Sequence, residues 1–157
     1  MYYCESLDSP IGQLRLVSDG EALCGLYMGD EVEDQRAPLK RDPGPLREVV
    51  RQLRAYFAGE LRKFDVPLAA AGTAFQKRVW QALCNIPYGQ AISYGELARR
   101  VGNPKASRAV GLANGRNPIS IIVPCHRVIG ANGSLTGYGG GLPRKRWLLE
   151  HEGMVFA

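Results

Sequence analysis

In the stretch "IIVPCHRVIG", residues 121–130, a cysteine and a histidine stand side by side behind a proline. A thiol with an ordinary pKa of about 8.5 is a good nucleophile only as its thiolate. A histidine within reach can take that proton if a carboxylate orients it. Cys125 is therefore the candidate nucleophile and His126 its candidate base. The segment "PRKRWLLEHEG" reads as a helix ended by Gly153 and offers two carboxylates, Glu150 and Glu152. Glu152, in the last turn, is the better placed to reach back to a buried histidine. Trp147 and Leu148 are expected to pack inward on that helix. The run Ile119 to Val123 is expected to be a buried strand, its ladder stopped by Pro124. Neighbours in an extended chain point apart, so any contact between Cys125 and His126 depends on the local turn. The glycines of "TGYGGG" (136–141) would let a flat ligand approach the backbone closely.

The surroundings of these residues are basic. The net charge is +5, and Arg99, Arg100, Lys105, Arg108, Arg116 and Arg127 crowd one segment, followed by Arg144, Lys145 and Arg146. Such a cluster is either a solvated face or a nucleic-acid surface. The 4 cysteines form no CxxC pair and the chain has only 2 histidines, His126 and His151. Reduced thiols and no metal site are expected. No glycine-rich nucleotide fingerprint follows a strand, which disfavours a methyltransferase that uses a diffusible methyl donor, and no cofactor is expected. No apolar run approaches the roughly 18 residues of a membrane span. "MYYCESLDSP" lacks the basic and apolar regions of a secretion signal. These features predict an intracellular protein, cytoplasmic, or nuclear if its source is eukaryotic.

The elements that must position the site follow from periodicity and punctuation. "YYCESL", "GQLRLVS" and "ALCGLYM" predict an antiparallel meander, then a charged loop over Gly29 to Gly44. "PLREVVRQLRAYFAG" predicts a helix with Leu46, Val49, Val50, Leu53 and Phe57 on one stripe. "FDVPLAAAG" reads as a linker with a short extended stretch. Thr73 with Gln76 forms a capping-box pattern for a helix that faces Phe75, Val79, Leu83 and Ile86 inward. Ser93 with Glu96 forms a second such box, and Asn103 with Pro104 opens a further helix running to about Asn114. Two short helices around a tight turn, flanked by arginines, suggest a helix-turn-helix. Ala106, Ala109, Val110 and Ala113 are expected on its inner face, with Ser107, Arg108, Gly111, Asn114 and Gly115 outside. A face this small suits close helix packing, or close approach to a narrow DNA groove. The expected fold is α/β (α+β): residues 1–68 a small antiparallel sheet with a helix, residues 69–157 mostly helical with the helix-turn-helix and the cysteine.

The blocks "FQKRVWQALCNIPYGQAISYGELA", "SRAVGLANGRNP", "PCHRVIG" and "TGYGGGLPRKRWLLEHEG", in this order, resemble the O6-alkylguanine-DNA alkyltransferases, also called methylated-DNA–protein-cysteine methyltransferases. "LDSPIG" fits that family's N-terminal domain, so the resemblance covers nearly the whole chain. It implies direct-reversal repair: a single-turnover transfer of the alkyl group from O6-alkylguanine, with O4-alkylthymine a second candidate lesion, to the protein's own cysteine after the nucleotide is flipped out of the duplex. It implies a monomer bound to double-stranded DNA through the minor groove. The reactive cysteine falls on Cys125, the base on His126 and the orienting carboxylate on Glu152, with a water between thiol and imidazole. Asn117 falls on the residue that braces the turn before the site. Tyr94 falls on the tyrosine that helps rotate the nucleotide and donates to the purine. Val128 and Tyr138 would flank the alkyl group, and backbone groups of Cys125, Val128 and Gly139 would hold the guanine edge. Arg108 would fill the vacated base stack, with Lys105, Ala106, Ser107, Ala109, Gly111 and Arg116 around it on the DNA.

Two departures stand out. Gly139 replaces a serine carried by many relatives, and the histidines of the N-terminal zinc site found in some are missing. Two rival readings remain open in the residues alone. A cysteine hydrolase would use the same triad but would need an oxyanion hole. A non-enzymatic lesion-binding helix-turn-helix protein would not need Cys125.

Overall fold

The computed structural model describes residues 1–29 and 39–156. The chain divides into two compact units, Met1–Ala71 and Gly72–Ala157.

In the first unit, β1 (Tyr2–Ser9), β2 (Gly12–Ser18) and β3 (Leu23–Met28) form the expected antiparallel meander. Ser9 closes the first hairpin by donating its hydroxyl to the Gly12 carbonyl (2.6 Å) and accepting from the Ile11 N–H (3.2 Å). Leu14, Leu16 and Ser18 are buried at every second position of β2, the period of a sheet with one covered face. Residues 30–38 of the expected loop lie outside the described residues, and its far end is not loop. β4 (Leu39–Arg41) adds to β1 in parallel, giving the sheet order β3-β2-β1-β4. Three exposed residues carry no alternation to read; the unpaired edge of β1 creates this strand.

A 3-10 turn (Gly44–Leu46) takes up Pro45, and α1 (Arg47–Phe57) follows. Its buried stripe is Leu46, Val49, Leu53 and Tyr56 together with Gln52, while Val50 and Phe57 are half-buried. The polar intruder has a purpose. The Gln52 amide donates to the Asp65 carbonyl (2.9 Å) and accepts from the Asp65 N–H (2.8 Å), so a buried side chain satisfies the backbone of the following segment. That segment continues into a bridge between Leu68 and Leu23.

In the second unit, α2 (Ala74–Leu83) opens on a complete capping box, Gln76 N–H to Thr73 Oγ1 at 3.1 Å and Thr73 N–H to Gln76 Oε1 at 2.9 Å. Val79, Trp80, Leu83 and Ile86 are buried; Phe75 is only half-buried. A two-residue β5 (Ile92–Ser93) leads into α3 (Tyr94–Arg100), then α4 (Ser107–Gly115). Ser93 caps α3 as expected (3.1 Å to Glu96 N–H), but the reciprocal half of the box is absent because the Glu96 carboxylate pairs with Arg99 and Arg100. α4 begins later than Asn103 and Pro104 suggest. The Ala106 N–H closes on the Asn103 carbonyl (3.0 Å) in a separate turn, and Ala106 is the residue before the helix. α4 packs on α2 and α3, and the Trp80 indole donates to the Ala113 carbonyl at 2.8 Å.

Residues 119–123 are buried but form a turn, not the expected strand: the Val123 N–H returns to the Ile119 carbonyl at 3.0 Å. β6 (Val128–Ile129) pairs in parallel with β5, and α5 (Leu142–His151) completes the unit. Among the described residues no helix is long and apolar enough to cross a membrane.

Replacing Thr73 by Ala removes one side of the capping box that starts α2, at a cost of about 1 kcal/mol. A fall in the Tm of about 2–4 °C is expected for a chain of this size, measured by thermal unfolding; an unchanged Tm would show that α2 does not depend on its cap.

Candidate active site

α4 delivers the chain to the site through two asparagines. Asn114, expected on the outer face, is buried and donates its amide to the Cys125 carbonyl at 3.3 Å. Asn117 folds over the next turn: its Oδ1 accepts from the Ile119 N–H (3.0 Å) and its Nδ2 donates to the Val123 carbonyl (2.8 Å). Inside that turn Ile121 adopts φ +73°, a left-handed conformation that costs a β-branched residue about 1–3 kcal/mol. Burial of Ile119, Ile121, Ile122 and Val123 and the Asn117 brace hold it there.

Cys125 does not sit at the end of a strand. It opens a 3-10 turn, Cys125–Arg127, that runs directly into β6. About three residues per turn point adjacent side chains in separate directions without opposing them, so Cys125 and His126 both enter the interior, at 4% and 0% exposure. Of the two candidate carboxylates, Glu150 is exposed and pairs with Arg146, whereas Glu152 is buried. Its Oε2 lies 2.8 Å from His126 Nε2, and Arg127 donates to both of its oxygens, Nε to Oε1 at 2.7 Å and Nη2 to Oε2 at 3.0 Å. The remaining Arg127 reach goes to the Ile86 carbonyl, at 2.6 Å from Nη1.

The protonation pattern follows from these partners. Burial works to raise the Glu152 carboxyl, but the hydrogen bonds from His126 and Arg127 outweigh it and hold the group well below the usual carboxylate range. Burial pushes His126 below 6.5, against the pull of Glu152. A neutral imidazole facing a carboxylate carries its proton on Nε2. Its Nδ1 is then a lone pair, buried and without a hydrogen-bond partner among the described residues. An imidazole held in this way has Nδ1 available to accept a proton.

The expected substrate-holding residues converge on the loop before α5. Val128 is buried in β6, Tyr138 is half-buried and Gly139 exposed. The Tyr94 hydroxyl donates to the Thr136 carbonyl (3.4 Å) and accepts from the Thr136 hydroxyl (3.2 Å). One residue that sequence reasoning missed ties these walls together. Lys145 is fully buried, and its ammonium donates to the carbonyls of Val128 (2.6 Å) and Thr136 (2.7 Å). Burial lowers its pKa to about 8, with attraction to Cys125 acting the other way. The signal was present: Lys145, Leu148, Leu149 and Glu152 are spaced i, i+3, i+4, i+7, one helical stripe, and all four are buried. Trp147, expected inside, is only half-buried and stacks on His151 at 4.8 Å.

On the outer side of α4, Lys105, Ser107, Arg108, Ala109 and Arg116 are exposed, and Ala106 and Gly111 half-buried. Ala109, expected inside, therefore faces outward. Lys105, Arg108 and Arg116 make no ion pair among the described residues, whereas Arg99 and Arg100 are held by Glu96. Gly111 lies close to the Tyr94 ring; a Cβ there would come 3.6 Å from it. Among the described residues no group of three or more His, Cys, Asp or Glu side chains could hold a metal.

Residues 74–154 match the model of the 6-O-methylguanine DNA methyltransferase DNA binding domain, and residues 2–70 that of the same family's ribonuclease-like domain. The chain is 58% identical over 153 residues to a methylated-DNA--protein-cysteine methyltransferase of Mycobacterium tuberculosis, covering 97% of this chain and 93% of the relative. It is 56% identical to one of Methanosarcina acetivorans, with coverage of 98% and 99%. Its fold matches the crystal structure of Mycobacterium tuberculosis OGT in complex with DNA with a TM-score of 0.89 at 58% identity, over 96% of this chain and 91% of that one.

The lowered values of His126 and Glu152 set the acid response. The unfolded chain binds a proton on each before the folded one does, so stability is present above 6.5 for His126 and above 4.5 for Glu152 and is lost as the pH falls below them. Glu152→Gln removes the charge that orients His126 and leaves Arg127 buried without its partner, a change that costs about 3–5 kcal/mol. It is expected to lower the Tm at pH 7, to remove the share of the Tm decline that Glu152 contributes below pH 4.5 while leaving the decline that His126 contributes below 6.5, and to slow alkylation of Cys125 by a small electrophile. Wild-type Tm and wild-type alkylation in this variant would break the proposed link between Glu152 and the thiol.

Proposed function

Because the chain belongs to the 6-O-methylguanine DNA methyltransferase family, we propose that it repairs DNA by taking the alkyl group of an O6-alkylguanine onto its own Cys125, once per molecule. The observation that carries this reading is the buried His126–Glu152 pair beside the buried Cys125: the carboxylate fixes the imidazole proton on Nε2 and leaves Nδ1 open to receive a proton. A water relays the thiol proton to it. The thiolate then attacks the alkyl carbon in line: a sulfur–carbon bond forms, the carbon–O6 bond breaks, and its electron pair leaves on guanine, which is neutralised by a proton. The Lys145 ammonium attracts the Cys125 thiolate. The product is a thioether. Water does not readily expel it, so the site is not regenerated.

A base inside the duplex cannot reach a thiol that is 4% exposed, so the nucleotide must leave the stack, at a cost of a few kcal/mol. The outer face of α4 meets the minor groove, where its small residues allow close approach. Lys105 and Arg116 contact phosphates, and Arg108 enters the vacated stack. Tyr94 turns the nucleotide toward the pocket, Val128 and Tyr138 flank the alkyl group, and the backbone at Cys125, Val128 and Gly139 holds the guanine edge. O4-alkylthymine presents the same alkyl–oxygen bond and is a second lesion for this pocket. The protein acts as a monomer.

Incubation with duplex DNA carrying O6-methylguanine should add one methyl group per protein, on Cys125 alone, as read by peptide mass spectrometry. Cys125→Ala should abolish transfer and keep DNA binding. Sustained turnover, or methyl on Cys4, Cys24 or Cys84, would sink the single-use mechanism.

Arg108→Ala should slow duplex repair by about tenfold or more, and the loss should shrink where the lesion faces a missing base and extrusion is cheap. Arg108→Lys should restore only part of the rate, since lysine has no flat guanidinium to stack. Equal losses on paired and unpaired lesions would remove Arg108 from the stack.

A further inference from the structure

The outer face of α4 is not made of small residues alone. Leu112 stands at its centre with 62% of its surface exposed. A lone exposed leucine is ordinary on a protein surface; its position here is not. It lies one helical turn after Arg108, the i, i+4 spacing that puts two side chains on one stripe, and four residues before Arg116, the residue that ends the helix. Both flanking cations are exposed and make no ion pair among the described residues. The other large exposed apolar residues of this unit, Leu142 and Val155, sit at the first position of α5 and in the C-terminal tail. The outer face therefore reads cation, aliphatic, cation, on the helix whose inner side holds Cys125 through Asn114.

Two free cations around an apolar centre are complementary to a duplex groove, in which phosphates flank an edge of sugars and stacked bases. We propose that Leu112 is an apolar wedge that enters the minor groove beside Arg108 and makes repair depend on how easily the neighbouring base step deforms. The inference rests on the minor-groove reading above and adds a residue and a specificity to it. A rise of 1.5 Å per residue separates Leu112 from Arg108 by about 6 Å along the helix, about two base steps at roughly 3.4 Å each. The two side chains thus meet different steps. The minor groove is only about 6 Å wide, and a branched aliphatic side chain on a helix must open it. Pyrimidine–purine steps such as TA open at low cost, while A-tracts are stiff and narrow. A leucine carries no hydrogen-bonding group, so the resulting preference is for flexibility and not for a particular base.

The test uses the full-length protein and two duplexes that differ only about two base pairs from an O6-methylguanine, one with TA steps and one with an A-tract. Dissociation constants, single-turnover methyl transfer and Tm are measured for the wild type, Leu112→Ala and Leu112→Met. The wild type should favour the TA duplex. Leu112→Ala should keep the Tm, weaken duplex binding by about tenfold, and lose the TA preference. Its salt dependence should keep the wild-type slope, because no phosphate contact is removed. Leu112→Met, still apolar and of similar volume, should retain both affinity and preference. Wild-type affinity and preference in Leu112→Ala would overturn the proposal. So would a change in sedimentation of the free protein with DNA affinity unaltered, which would make Leu112 a contact between copies. A wild type that binds through Leu112 yet transfers no methyl would remove the assignment of Cys125 and leave the wedge standing.

Discussion

One buried negative charge organises the second half of this chain. The Glu152 carboxylate is out of water and has four lone-pair directions to satisfy, and the three N–H donors that meet it come from His126 and Arg127, consecutive residues of one tight turn. Taking such a charge from water costs several kcal/mol, which only close geometry and complete hydrogen bonding offset. The carboxylate therefore acts as a geometric constraint. It fixes the end of α5 against the turn that carries Cys125, and through Arg127 and the Ile86 carbonyl it reaches the segment that follows α2. The imidazole tautomer is a by-product of the same constraint, and that tautomer is what leaves Nδ1 open.

A second buried charge acts at the opposite wall. Lys145 donates its ammonium to two backbone carbonyls, one in β6 and one in the glycine-rich loop. Neither carbonyl carries a charge, so the protonated lysine is a net positive centre, and burial lowers its pKa to about 8. The interior thus pairs one cation with Glu152 and leaves another whose charge attracts Cys125.

α4 connects this interior to the outside. Its inner side supports the Cys125 backbone through Asn114 and braces the strained turn at Ile121 through Asn117, just past the helix end. Its outer side carries Arg108, Leu112 and Arg116. A shift of the helix on DNA would move the turn that holds Cys125, because both asparagines bond the backbone around it. Trp80 resists such a shift by anchoring Ala113 to α2.

Much of this was legible in the residues alone. The meander, the capping box at Thr73, the pair Cys125 and His126, and the choice of Glu152 over Glu150 all rest on local spacing or on chain-end signals, which depend on few neighbours. The errors share one origin. An apolar run such as 119–123 says only that it is buried; the Asn117 brace, a side-chain contact that periodicity does not reveal, decides that it turns. The outward exposure of Ala109 and Leu112 and the burial of Asn114 were likewise invisible, because which side of a short helix faces inward depends on what packs against it. β4 exists because β1 has an edge to offer. Residue type and spacing thus determined which groups could do chemistry, and tertiary packing alone decided which of them are dry, paired and aimed, since desolvation and hydrogen-bond completion are properties of the assembled interior.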